Sequence, residues 1–159
     1  MRRSLLLALT LVLVATGCRK EPIYELDQVD LRPPSPDKDQ LKTNEEYAAI
    51  LHANLFQTGL PANALFELGQ CIESIGDKEL AREVIISNFM NRPGVLLPTD
   101  SAMRADIDAF VIDTYRRFLV RDPNEGERTW FRNYIEADPN VTPEIVYFSF
   151  AMCDEYCFY

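Results

Sequence analysis

From Thr43 to the end of the chain, apolar residues recur three and four positions apart, and short polar breaks divide them into about six helices. The first opens at Thr43-Asn44-Glu45-Glu46, which has the spacing of a capping box, and places Tyr47, Ile50, Leu51, Asn54 and Leu55 on one face. Gly59-Leu60-Pro61 breaks it. A second helix from Pro61 to Gly76 buries Leu65, Leu68, Ile72 and Ile75, and Asp77 caps a third with Leu80, Val84, Ile85 and Phe89 as its stripe. After an irregular bridge from Arg92 to Pro98, Thr99 or Asp100 caps the longest helix. It runs to about Val120 on Met103, Ile107, Phe110, Val111, Thr114, Tyr115 and Phe118, and Asp122-Pro123 ends it. A fifth carries Trp130, Phe131, Tyr134 and Ile135, with Trp130 expected to wedge between the fourth and fifth helices. A sixth starts at Thr142-Pro143-Glu144, with proline at the first helical position. The expected fold class is all-α.

The plan repeats. Displaced by 63 residues, Tyr47 falls on Phe110, Leu55 on Phe118, Leu68 on Phe131 and Ile72 on Ile135. Residues 44–91 and 100–157 therefore read as two three-helix units, either duplicated or meeting the same packing constraints.

Upstream the pattern is different. Residues 19–42 lack apolar periodicity, and Pro22, Pro33, Pro34 and Pro36 interrupt a polar, charged stretch, which reads as an extended, disordered tether. Ahead of it stand Arg2 and Arg3, an apolar run from Leu5 to Val14 too short to span a bilayer, and Ala15-Thr16-Gly17-Cys18. This layout resembles the signal peptide and cleavage box of bacterial lipoproteins. The resemblance implies diacylglycerol on the Cys18 thiol, cleavage just before it and a third acyl chain on the new amine. Each buried methylene contributes about 0.8 kcal/mol, so two or three chains hold firmly where one holds only marginally. The expected organisation is a leader at 1–17, a lipidated cysteine and tether at 18–42, and a helical domain at 43–159. No aspartate follows Cys18, so the commonest enterobacterial inner-membrane retention signal is absent. The expected location is the cell envelope, outer membrane favoured over inner, with the membrane as a partner through the lipid.

In the second half, Tyr115, Leu119, Arg121, Pro123, Gly126 and Trp130 fall in an aromatic, Leu, Arg-x-Pro, Gly, Trp order. That order resembles exported bacterial helical domains of unknown function, a group likened to the phycobilisome linker domain. The interval from proline to tryptophan is one residue short, and the resemblance covers about a third of the chain. It implies a helical fold with an adhesive or scaffolding role. Read physically, Pro123 ends a helix, and Arg121 caps carbonyls at a helix end or pairs with a nearby acid.

Charge narrows the partners. With 16 basic against 25 acidic residues the chain carries −9, or −11 once Arg2 and Arg3 leave with the leader. Such a chain repels phosphate backbones, so nucleic acid is not an expected partner. Beyond Cys18, the thiols are Cys71, Cys153 and Cys157. Cys153 and Cys157 stand four apart on a helix, where Cβ atoms lie about 5–6 Å apart, too far for a disulfide unless that turn unwinds. Either Cys71 pairs with one of them, or all three are reduced and buried. His52 is the only histidine and lies on a polar-leaning face, with no ligand-spaced cysteine or acid beside it. No metal or cofactor motif is present, and the carboxylates read as solvated helix faces.

The tail from Tyr147 through Phe150, Tyr156, Phe158 and Tyr159 carries aromatics around more than one helical face. It is either a central helix buried on most sides or a surface for a protein partner. Two functions follow: a membrane-anchored, non-catalytic interaction module, or an envelope hydrolase or thiol enzyme using Cys153 or Cys157 with His52 or an acid.

Overall fold

The computed structural model describes Lys38 and residues 40–159. Cys18, the apolar leader and the prolines at 22, 33, 34 and 36 lie outside the described residues, and the lipid-anchor expectation lies there with them. Among the described residues the fold is all-α. It comprises α1 (Asn44–Phe56), α2 (Ala62–Ser74), α3 (Lys78–Met90), α4 (Asp100–Ala105), α5 (Ile107–Leu119), α6 (Glu125–Ala137), α7 (Pro143–Met152) and α8 (Asp154–Cys157). None of these is long and apolar enough to cross a membrane.

Side chains written into the sequence start most of these helices. Thr43 and Asn124 close capping boxes with Glu46 and Glu127, and Asp77, Thr99 and Thr142 accept first-turn amides. The longest expected helix is split into α4 and α5 at Asp106, which leaves helical geometry (φ −150°) and turns its carboxylate to the Ala109 amide. A short acceptor side chain competes with the helix for its own backbone donors, and here it wins. The last expected helix is likewise split, with Cys153 extended between α7 and α8.

The two halves correspond more closely than their sequences do. A displacement of 63 residues carries α1 onto α5 and α2 onto α6 end for end. It also carries the cap Thr43 onto Asp106 and Gln57 onto Val120, the two non-glycine residues with left-handed backbone among those described. One lateral contact keeps its place too. Arg132 grips Asp108 between α6 and α5, and at the matching positions Gly69 lies beneath the Glu45 carboxylate. The register then slips by two, because the cap of α3 is Asp77 and that of α7 is Thr142. With this longer connection the packing differs: α2 seats on α3, while the backbones of α6 and α7 stand apart and meet through Phe131 and Phe150.

One core runs through both halves. Tyr47, Leu51, Leu55, Ile72, Ile86 and Phe89 pack with Phe110, Val111, Phe118, Tyr147, Phe150 and Tyr156. Several of its polar groups are paired across the halves. Tyr47 O–H donates to the Ala151 carbonyl and Asn54 Nδ2 to the Tyr156 hydroxyl. Arg117 donates to the carbonyls of Asn54 and Leu96 and to the Tyr147 hydroxyl. On α3 the buried face is Ala81, Ile85, Ile86 and Phe89, so Leu80 and Val84, expected inside, are half exposed.

The expected tether also ends earlier than residue 42. Leu41 forms an antiparallel bridge with Phe158, Lys42 N–H donates to the Cys157 carbonyl, and Tyr159 N–H donates to the Gln40 carbonyl, each bond 2.9 Å long. Backbone groups at the two ends satisfy one another there.

Candidate interaction groove

Because α6 and α7 stand apart over α5, a groove of about 370 Å³ opens between them. Its floor is aromatic. The Tyr115 ring meets Phe150 edge-on at 4.8 Å and Phe131 at 5.9 Å. Trp130 and Tyr134 form one wall, and Ile145 and Ser149 the other. Trp130 and Tyr134, one turn apart on α6, stack with their centroids 5.2 Å apart and their planes within 14°. Trp130 is 58% exposed and Ile145 47%, although both border a well-filled core. Exposed apolar side chains gathered beside a concave surface mark a place where something binds.

Charge closes one end of the groove. Arg121 donates to both oxygens of Glu127 and both oxygens of Glu155 at 2.7–2.9 Å, and its guanidinium lies 4.9 Å from the Tyr115 ring centre. Only 9% of the Arg121 side chain is exposed. Lys38 supplies a second cation, donating to Glu155 Oε1 at 3.1 Å and to the Leu119 carbonyl at 2.9 Å. Two carboxylates thus meet two cations. Hydrogen bonds from Arg121 hold the Glu155 carboxyl below its ordinary range against the effect of burial, with help from Lys38. Burial pushes the Glu127 carboxyl up, but bonds from Arg121 and the Asn124 amide outweigh it, and the net shift is downward. Carboxylates held charged and saturated in this way fix the geometry of helix ends and are poorly suited to proton transfer.

Tyr115, Leu119, Arg121 and Trp130, four of the residues in the aromatic–Leu–Arg–Trp order, all line this groove. No family model, curated protein or solved structure matches this chain. Its functional reading therefore rests on geometry and chemistry alone.

The structure redistributes the residues singled out from the sequence. Phe150 and Tyr156 are buried, Phe158 is partly buried, and Tyr159 is exposed, so of the two readings of the tail these side chains mostly fit the buried helix. Tyr156 packs against Tyr47 and Phe118 and its hydroxyl is held by Asn54. Aromatics point several ways from the tail because α1 and α5 both lie against it. Trp130 is not wedged between helices; Phe131, one position on, takes that place against Tyr115 and Phe150. A signal for the groove was nonetheless present: Trp130, Phe131, Tyr134 and Ile135 cover a wider arc than one buried face needs.

Cys71, Cys153 and Cys157 are free thiols, and the expected bond from Cys71 is not made. Cys71 is exposed on α2, whereas Cys157 is buried with its Sγ 3.2 Å from Arg82 Nη1. Burial pushes both the Cys153 and the Cys157 thiol up, in the second case against Arg82 and Lys42. An attacking thiol needs the reverse. His52 Nδ1 donates to the Thr58 carbonyl at 2.9 Å and the ring stacks on Phe56 at 4.6 Å, engaging neither thiol. Among the described residues no group of three His, Cys, Asp or Glu side chains could hold a metal ion.

Proposed function

We propose that this chain is a lipid-anchored, non-catalytic interaction module of the bacterial cell envelope, tied to the outer membrane through Cys18 and presenting the α6–α7 groove to a protein partner. The observation that carries the interaction reading is the Trp130–Tyr134 stack, exposed beside an aromatic-floored groove whose charged end is already neutralised. Rigid aromatic rings next to a pocket are the usual anchors of a binding site, because little side-chain entropy is lost when they are covered. The anchor rests on the Ala15-Thr16-Gly17-Cys18 box. The raised thiols and the occupied His52 weigh against a Cys–His hydrolase.

A photo-crosslinking amino acid at Trp130, in cells producing the chain with its leader intact, tests the groove. It should yield a discrete crosslinked species that is lost with Tyr134→Ala and Ile145→Ala. Crosslinks equally abundant from an exposed control position such as Phe66 would end the interaction reading. Cys18→Ser should leave the chain uncleaved or release it from the membrane fraction. Normal processing with unchanged sedimentation would end the anchor reading.

A further inference from the structure

The charged end of the groove holds a residue from outside the helices. Lys38, the first of the described residues, is fastened there to Glu155 and the Leu119 carbonyl, so the described chain begins at the groove's charged end. The residues immediately upstream, Leu31-Arg32-Pro33-Pro34-Ser35-Pro36-Asp37, are the densest proline run in the sequence. Resting on the reading of the groove as a binding surface, we infer that its resident occupant is this chain's own segment, Arg32–Pro36, which a partner must displace.

Position, length and chemistry support this. Lys38 supplies the cation that balances the second carboxylate, so the arm already contributes to the site's charge. From Glu127 to Tyr134, α6 advances about 10 Å at ~1.5 Å per residue. Pro33 to Pro36 in a polyproline helix advance about 9 Å at ~3.1 Å per residue. Aromatic-lined grooves are the surfaces such helices recognise, since proline rings stack on exposed ring faces and little conformational entropy remains to be lost. Proline also lacks an amide N–H, so fewer donors need partners when it is covered in an apolar groove. The walls of Trp130, Tyr134, Ile145 and Ser149 carry no charge that would oppose it.

Trp130 is the only tryptophan of the chain, which makes it a direct reporter. The full-length chain reconstituted in lipid vesicles is compared with its Pro33→Ser, Pro34→Ser, Pro36→Ser triple variant by acrylamide quenching of tryptophan emission. With 58% of Trp130 open in the described groove, covering one ring face removes about half of that surface, so the variant should quench about twofold more steeply and emit further to the red. Lys38→Ala, which keeps the prolines but frees the arm from the groove's end, should shift both readings the same way. Equal quenching in all three chains would overturn the inference. Partner crosslinks at Trp130 that persist alongside equal quenching would show that the groove reading stands while the arm reading fails. Loss of crosslinks with the quenching difference intact would show the opposite.

Discussion

Val120 holds a backbone conformation that its side chain opposes. At φ 57° and ψ 32° it ends α5 in the left-handed region, where a Cβ costs roughly 1–2 kcal/mol and a β-branched residue is an outlier. Its side chain is 87% exposed, so packing offers no return. Glycine there would relieve the strain but would lose about 0.5–1 kcal/mol to its greater freedom when unfolded. Val120→Gly is therefore expected to stabilise the domain by about 0.5–1 kcal/mol, seen as a higher urea midpoint at unchanged slope. Gln57→Gly, at the equivalent place after α1, should gain less because glutamine is unbranched. Asp106 works in the opposite direction. Its carboxylate caps α5, and Asp106→Ala should cost about 1 kcal/mol in the same measurement. Residues of this kind divide according to what they announce in the sequence. Thr43, Asp77, Asn124 and Thr142 are helix starts by residue type and spacing, whereas nothing in Leu119-Val120-Arg121 signals a left-handed turn, because the usual glycine is absent.

At the scale of elements, the distinctive feature is the separation of α6 from α7, closed at one end where Arg121 ties Glu127 of α6 to Glu155 of α8. Arg121→Met would leave two partly buried carboxylates facing each other with only Lys38 between them, at a cost of about 2–3 kcal/mol at neutral pH, since both acids keep about a quarter of their surface in water. Both carboxyls titrate lower in the folded chain than their ordinary values. The stabilisation they give is present above the unfolded carboxylate pKa of about 4.3 and is lost as the pH falls through the lower folded values. The gap between wild type and Arg121→Met should therefore hold steady from pH 7 to about 5 and close below about pH 4, measured as urea midpoints across that range. A constant gap down to pH 3 would mean that Arg121 acts through packing on Tyr115 instead. Periodicity revealed these helices but not their spacing. The second acid lies 34 residues from Arg121, and the groove depends on a connection two residues longer than its counterpart before α3, neither of which leaves a local trace. The aromatic excess on α6 was visible, yet a stripe alone does not tell a buried face from an exposed one.

Whether the two matching halves are separable is a question for the whole molecule, and the contacts answer it. Arg117 of α5 is bonded to the end of α1 and to the bridge at Leu96, Tyr47 of α1 to the end of α7, Asn54 of α1 to Tyr156 of α8, and Arg82 of α3 to Cys157. The Leu96 amide donates to the Leu55 carbonyl, and residues 40–42 pair with residues 157–159, so the two ends of the helical region close on each other. A three-helix unit alone would expose the aromatic surface that the other half covers and leave these buried partners unpaired. Unfolding should then be a single transition. Trp130 emission reports the second half alone and far-ultraviolet circular dichroism reports both, so the two curves should coincide in urea. Residues 38–98 expressed alone should show little helix, because short helices owe most of their stability to tertiary packing. Tyr156→Ala removes a fully buried ring where the halves meet, and should lower both curves together by about 3–5 kcal/mol. If the dichroism instead retained a helical plateau after the Trp130 transition, the first half would be standing by itself. The correspondence between the halves would then describe two domains in contact, and the core shared by Tyr47, Phe118, Tyr147 and Tyr156 would have to be an interface rather than an interior.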